Sequence, residues 1–248
     1  VGAWNYLFAA LAAWLWWALG PACPLTWSAV LWGLISGFSF VVAFFLLDHA
    51  IRAAGVGVSQ SVQWLGVALP VAASIGLWRE YPTLLQGLGL AAAFVSLPLL
   101  AGGPSAPEAP RGRWRALFLA GLFLLEGLVG LAMKVYSRQV PSGAELPFLC
   151  FMFSGASLGS LLTAWRTAPP PARELLHGGA MGLSNVLCNF ALLRALVLLP
   201  GTIVFPTVSA GSIAVTALLG GVLWRERYDR RTIVGLVLAA LAVVAINR

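Results

Sequence analysis

Leu223-Trp224-Arg225-Glu226 lies between two apolar runs, Gly201 to Trp224 and Thr232 to Asn247, and the same tetrapeptide occurs earlier as Leu77-Trp78-Arg79-Glu80. The offset is 146 residues, and it holds without a gap for Gly33/Gly179, Phe44/Phe190, Gly55/Gly201 and Gly89/Gly235. Across positions 33–97 the register gives 15 identities in 65 pairs. Chance for so biased a composition gives roughly six or seven. The chain therefore reads as two copies of one unit.

Composition sets the solvent. Charged residues make up 9% of the chain and hydrophobic ones 60%, against roughly 25% charged in an ordinary soluble domain. A soluble protein of 248 residues could not hide that much apolar surface, so the partner for most of it is the lipid bilayer. Many of the 11 tryptophans sit near the ends of apolar runs, where an amphipathic ring favours the membrane interface. A barrel would need short alternating strands, which the sequence lacks. These features predict an all-α polytopic membrane protein.

The net charge of +7 comes from short connections between apolar runs, and no basic stripe or interleaved aromatic–basic segment points to a nucleic-acid partner. Cys23, Cys150 and Cys188 are odd in number and scattered, which suggests neither a disulfide framework nor a metal cluster. No cofactor is expected.

Nine spans follow from the hydropathy pattern, at roughly 4–19, 26–48, 55–78, 82–101, 114–137, 147–166, 174–198, 202–224 and 231–247. Most reach the ~20 residues that a crossing needs. Gly20-Pro21 and Thr167 to Pro171 carry the expected breakers. Gly102 to Arg113, with three prolines, is the natural linker between residues 1–101 and 114–248. The second copy has five spans and the first four; Val1 corresponds to Pro147. The repeat thus predicts one more helix, roughly 30 residues, upstream of Val1; a nine-helix protein is the alternative. An odd number of crossings per unit inverts the second copy and produces the inverted repeat of carriers that alternate access.

Orientation follows from charge. The connections after spans 26–48, 82–101, 147–166 and 202–224 carry ten Lys/Arg, and the opposite side carries five, counting Lys134 and Arg248. Positive-inside logic makes the richer side cytoplasmic and leaves the C-terminus outside.

Each unit's fourth helix runs into an interfacial Glu and its fifth opens on a Gly-containing apolar run. Trp224-Arg225-Glu226 precedes Ile233-Val234-Gly235-Leu236, and Trp78-Arg79-Glu80 precedes Gly87-Leu88-Gly89. With the Asn-Phe-Ala-Leu-Leu-Arg-Ala-Leu run (189–196) before Pro200-Gly201, this resembles the EamA-like branch of the drug/metabolite transporter superfamily. The resemblance covers nearly the whole chain. It implies a ten-helix carrier, commonly an exporter of small organic metabolites, and it leaves the substrate open. The sequence departs from the family in two ways: the first helix is absent, and the charge count opposes the usual cytoplasmic placement of both termini.

Glu126 is the first candidate site residue, at the centre of span 114–137 between Leu124-Leu125 and Gly127-Leu128. An ionised carboxylate there costs a few kcal/mol at least, so it must face the bundle interior, take a proton or find a partner. It is a candidate proton or cationic-substrate site, with a structural Glu bonded to its neighbours as the alternative. Lys134, two turns along, is expected to snorkel to the interface rather than pair with it.

Asn185 and Asn189 share a face of span 174–198, with Ser184 beside them; they suit polar substrate groups or act as helix glue. Gln60, Gln63 and Trp64 share a face of span 55–78, where Trp64 could wall a pocket; the repeat pairs Gln60 with Pro206 and Gln63 with Ser209. Any shared cavity is therefore lined asymmetrically. Ser36, Ser39 and Thr207 are lesser polar candidates, since hydroxyls in such helices often back-bond to their own turn. Pro70 and Pro206 are candidate kinks, each lacking a backbone donor. Asp48, His49 and Arg52 read as a solvated helix end. Arg79–Glu80 and Arg225–Glu226 read as interfacial and structural. Gly33/Gly37, Gly155/Gly159 and Gly178/Gly182 have the small-xxx-small spacing of close helix contacts.

A secondary transporter of a small organic solute is the leading functional expectation, working as a monomer or homodimer. No GxxxxGK[ST] loop supports nucleotide-driven transport. A membrane enzyme acting on a lipid-linked substrate is the runner-up, yet the chain has two histidines, no HExxH and no GxSxG. An inactive, truncated transporter is the third reading.

Overall fold

The computed structural model describes residues 2–20, 23–54, 56–100, 113–140, 143–164, 171–223 and 230–248. Its helical segments are α1 (Gly2–Leu19), α2 (Trp27–Ala54), α3 (Val56–Leu65), α4 (Ala68–Gly76), α5 (Leu84–Leu100), α6 (Arg113–Gln139), α7 (Glu145–Ala164), α8 (Ala172–Leu198), α9 (Gly201–Leu223) and α10 (Arg230–Ile246). No strand occurs among the described residues. The linker from Gly102 to Gly112, Gly55, Pro21, Thr167 to Pro170, and Trp224-Arg225-Glu226 of the second tetrapeptide lie outside the described residues.

Among the described residues, five helices are long and apolar enough to cross a membrane by length and composition. Their outer faces suit lipid. On α10, Thr232, Gly235, Ala239, Ala242 and Ile246 are buried while Ile233, Val237, Leu241 and Val244 are exposed. Small residues pack inward and large apolar ones point out, the reverse of a soluble helix, because lipid supplies no hydrophobic drive between helices and close packing must. The chain is an all-α polytopic membrane protein.

Two sequence expectations change in detail. Span 26–48 continues to Ala54 as α2, because Arg52 reaches back one turn to Asp48 at 3.0 Å on an exposed helix end. Span 55–78 divides into α3 and α4 around Gly66-Val67.

The chain forms two compact units, one of residues Val1–Val42 and Leu128–Leu198, the other of Ala43–Gly127 and Leu199–Arg248. In the first unit α1 packs on α7 and α8. Glycines permit this contact and that of α2 with α7: a Cβ at Gly182 would stand 2.6 Å from the Asn5 carbonyl oxygen, and one at Gly33 on α2 2.7 Å from that of Phe148 on α7. Gly155 and Gly159 pack less tightly, with at least 3.2 Å to the nearest atom. In the second unit α5, α9 and α10 meet through Ala93, Ala210, Ala239, Ala242 and Ile246. Beside them the second half of α2 meets the first half of α6 through Ala43, Ala50 and Leu122.

Candidate functional site

In the second unit, the break between α3 and α4 originates four residues before Pro70. Proline has no N–H for the Gly66 carbonyl, and its ring crowds that oxygen. The backbone tightens into a 3₁₀ turn in response: Gly66 N–H donates to Gln63 O at 3.0 Å, Val67 N–H to Trp64 O at 3.4 Å and Leu69 N–H to Gly66 O at 3.1 Å. The turn follows Leu65, the last residue of α3. A 3₁₀ stretch inside a helical span is a common form of hinge.

α6 crosses this break at close range. A Cβ at Gly66 would lie 2.9 Å from Glu126 Cβ, 2.9 Å from Gln63 O and 3.1 Å from Phe123 O, so only glycine lets the two segments approach. The approach delivers Gln63 to Glu126, with Gln63 Nε2 donating to Glu126 Oε1 at 2.6 Å. Both side chains are half-buried, as are Gln60 and Trp64 on the same face of α3. Thr207 of α9 accepts a hydrogen bond from Asn247 Nδ2 at 3.0 Å.

Glu80 has a role that its interfacial reading missed. Two residues past the Leu77 cap of α4, Arg79 adopts φ 54°, a left-handed conformation that turns the chain, and Glu80 Oε2 then accepts the Gly201 N–H at 2.7 Å. A carboxylate at the first residue of α9 satisfies an orphan donor and complements the helix dipole.

Polar groups of the first unit form two clusters. Asn185 Nδ2 donates to Asn5 Oδ1 at 2.9 Å, while Asn189 Nδ2 donates to the Asn185 carbonyl at 2.9 Å. Asn5 is buried, brought there by the close approach at Gly178 and Gly182. Ser39 is buried too, and the buried Ser36 hydroxyl has no hydrogen-bond partner. The second cluster holds Glu145, 3% exposed, which accepts from Arg194 Nη1 at 2.8 Å; Tyr136 donates to the Ala144 carbonyl at 2.5 Å and stacks on Phe148. In the α1–α2 connection, burial pushes the Cys23 thiol above its ordinary pKa, and the Glu145 carboxylate adds to the rise.

Lys134 corrects an expectation. It does not snorkel to the interface but is 1% exposed. The helix continues past it to Gln139, and Val129, Ala132, Met133 and Tyr136 are buried around it. Asn5, Arg194 and Glu145 are the polar residues that sequence reasoning missed. The available signal was Arg194 itself, a charge within an apolar span, for which a partner is the default expectation.

The predicted site residues therefore divide. Glu126, Gln60, Gln63, Trp64 and Thr207 belong to one unit, Asn185, Asn189 and Ser39 to the other. Geometry directly joins Gln63 to Glu126.

Comparison with known proteins agrees with this architecture. A curated but uncharacterized protein of Haemophilus influenzae is 22% identical over 214 residues, spanning 85% of this chain and 72% of its own. A solved crystal structure superposes with a TM-score of 0.74 at 16% identity, over 99% of this chain and 87% of that one; at that identity the likeness shows the fold. The family model of the EamA-like transporter family matches residues 112–248. The chain belongs to the EamA-like transporter family, within the drug/metabolite transporter superfamily, and is an integral membrane protein of a class that carries small molecules.

Proposed function

We propose that this chain is a secondary transporter that exports small organic metabolites or drugs across a bacterial inner membrane by alternating access. The two sequence copies act as an inverted repeat, residues 1–101 against 114–248, and the protein works as a monomer or homodimer. Glu126 is the coupling group, taking and releasing a proton as the site changes side. The observation that carries this reading is the Glu126–Gln63 pair seated against a proline-broken span. Intramembrane carboxylates are costly and are the usual sites of coupling, and broken helices are the usual sites of substrate and ion binding in carriers. Trp64, Gln60, Asn185, Asn189, Ser39 and Thr207 contribute polar or aromatic surface to the solute path.

The test is protection. Cells expressing the protein or Glu126→Gln at equal membrane abundance are challenged with amino acids, toxic analogues and lipophilic cations across external pH. Export predicts lower retained solute and protection for at least one compound, abolished by the substitution. Protection that survives Glu126→Gln removes Glu126 from coupling, and no protection for any compound overturns the export reading.

A further inference from the structure

We propose that Glu126, Gln63 and the carbonyl end of α3 form a binding site for a small monovalent cation of the sodium class. The proposal rests on the transport reading only in letting this cation compete with the coupling proton at Glu126; binding itself is independent of it.

Glu126 lies 13 residues after Arg113 in a helix of 27, and its hydrogen-bond partner is the neutral Gln63 amide. An ionised carboxylate at that depth needs a positive partner. Among the described residues of this unit none is built in. α3, α4, α5 and α9 carry no titratable side chain. On α2, Asp48 and Arg52 pair with each other at 3.0 Å, and His49 bonds the Phe45 carbonyl and packs on Phe118, two turns from Glu126. Arg113 and Arg115 start α6, Arg230 and Arg231 start α10, and Arg79 and Arg248 lie outside the helices. Lys134, further along α6, is buried in the other unit. When Glu126 is ionised, the described residues of this unit thus leave a net negative charge at the site, which a small cation can balance.

Gln63 gives its NH₂ to one carboxylate oxygen, leaving its own Oε1 and the second Glu126 oxygen as acceptors. The Pro70 break places the C-terminus of α3, where the helix dipole is negative, beside Glu126. Gly66 holds the α3 terminus and Glu126 within contact of one another. One carboxylate among neutral oxygens is a hard, singly charged set. It balances a monovalent ion, whereas a calcium or magnesium site uses more carboxylates; no cluster of three His, Cys, Asp or Glu occurs among the described residues. Unwound carbonyls at half-helix C-termini are known ligands for sodium.

The experiment uses the purified full chain in lipid. Thermal unfolding and Trp fluorescence are followed as NaCl replaces choline chloride at constant ionic strength, with KCl in parallel, over a range of pH. The proposal predicts a saturable rise in Tm with sodium, larger than with potassium. The rise weakens at acid pH, because a proton on Glu126 removes the charged ligand. Glu126→Gln abolishes the response. Gln63→Leu, which leaves the carboxylate in place, weakens the apparent affinity at least tenfold, about 1.4 kcal/mol, and serves if Glu126→Gln does not fold. Identical melting curves in sodium and choline at every pH overturn the cation site and leave a purely proton-coupled exporter standing. Undiminished sodium binding by Glu126→Gln overturns it as well. Sodium binding without protection of cells against any compound supports the site and sinks the transport reading alone.

Discussion

The spans 56–76 and 201–223 occupy equivalent positions in the two sequence copies, and each contains a proline, yet one is broken and the other is continuous. The difference lies in where the proline falls. Pro206 is the sixth residue of α9, so the carbonyl it deprives is that of Thr202 in the first turn, beside a terminus already held by Glu80. Pro70 deprives Gly66 in mid-span, where no terminus shares the loss. The register decides what each break can serve. Gln63 and Gly66 face Glu126, whereas their repeat equivalents are Ser209, which back-bonds to its own helix at Phe205, and Ser212. The two spans thus differ: one is broken beside Glu126, and the other is continuous and capped at its start.

The largest separation between the two is expected from their glycines. Gly66→Ala places a methyl group against two backbone oxygens and Glu126 Cβ, and should destabilise by about 1–3 kcal/mol and abolish transport. Gly211→Ala, in α9 with nothing within 4 Å of the added Cβ, should be neutral or stabilise by up to about 1 kcal/mol. Thermal unfolding in detergent and solute retention in cells measure both.

Exchange of the prolines comes next. Pro70→Ala returns an N–H to the Gly66 carbonyl and joins α3 to α4; its transport rate should fall about tenfold, roughly 1.4 kcal/mol of barrier, with little change in Tm. Pro206→Ala should change neither by as much. If both behave alike, the hinge assignment fails.

Smaller effects sharpen the account of α9. Glu80→Ala leaves the Gly201 N–H without its acceptor and should cost about 1 kcal/mol of stability. Thr207→Val removes one of the two acceptors of the exposed Asn247 amide, leaving the Val243 carbonyl, and should cost about 0.5 kcal/mol, seen as a slightly lower Tm.

The spans were legible because hydropathy reports directly on lipid solvation, and their ends moved by a few residues except at α2, whose Asp48–Arg52 pair continues the helix beyond its apolar part. The break was half-legible: Pro70 signals a kink, but the 3₁₀ turn forms upstream, at the carbonyl that loses its donor. Glu126 stood out because a carboxylate in an apolar run demands an explanation. Its pairing with Gln63 could not be read, because 63 residues separate them and the contact depends on glycine packing in three dimensions. The same holds for Glu80, whose capped amide lies 121 residues away. Lys134 was misread because its burial, with Val129, Ala132, Met133 and Tyr136 buried along the same helix, depends on packing that the span alone does not report.

Hydrogen–deuterium exchange on the lipid-embedded protein tests the central claim most directly, by comparing peptides covering 56–76 with those covering 201–223. The account predicts faster exchange at Leu65 to Leu69 than anywhere in the interior of α9, slowed when sodium replaces choline, with α9 unchanged. Equal protection of the two spans, or a sodium response in α9 and none at the break, would contradict it.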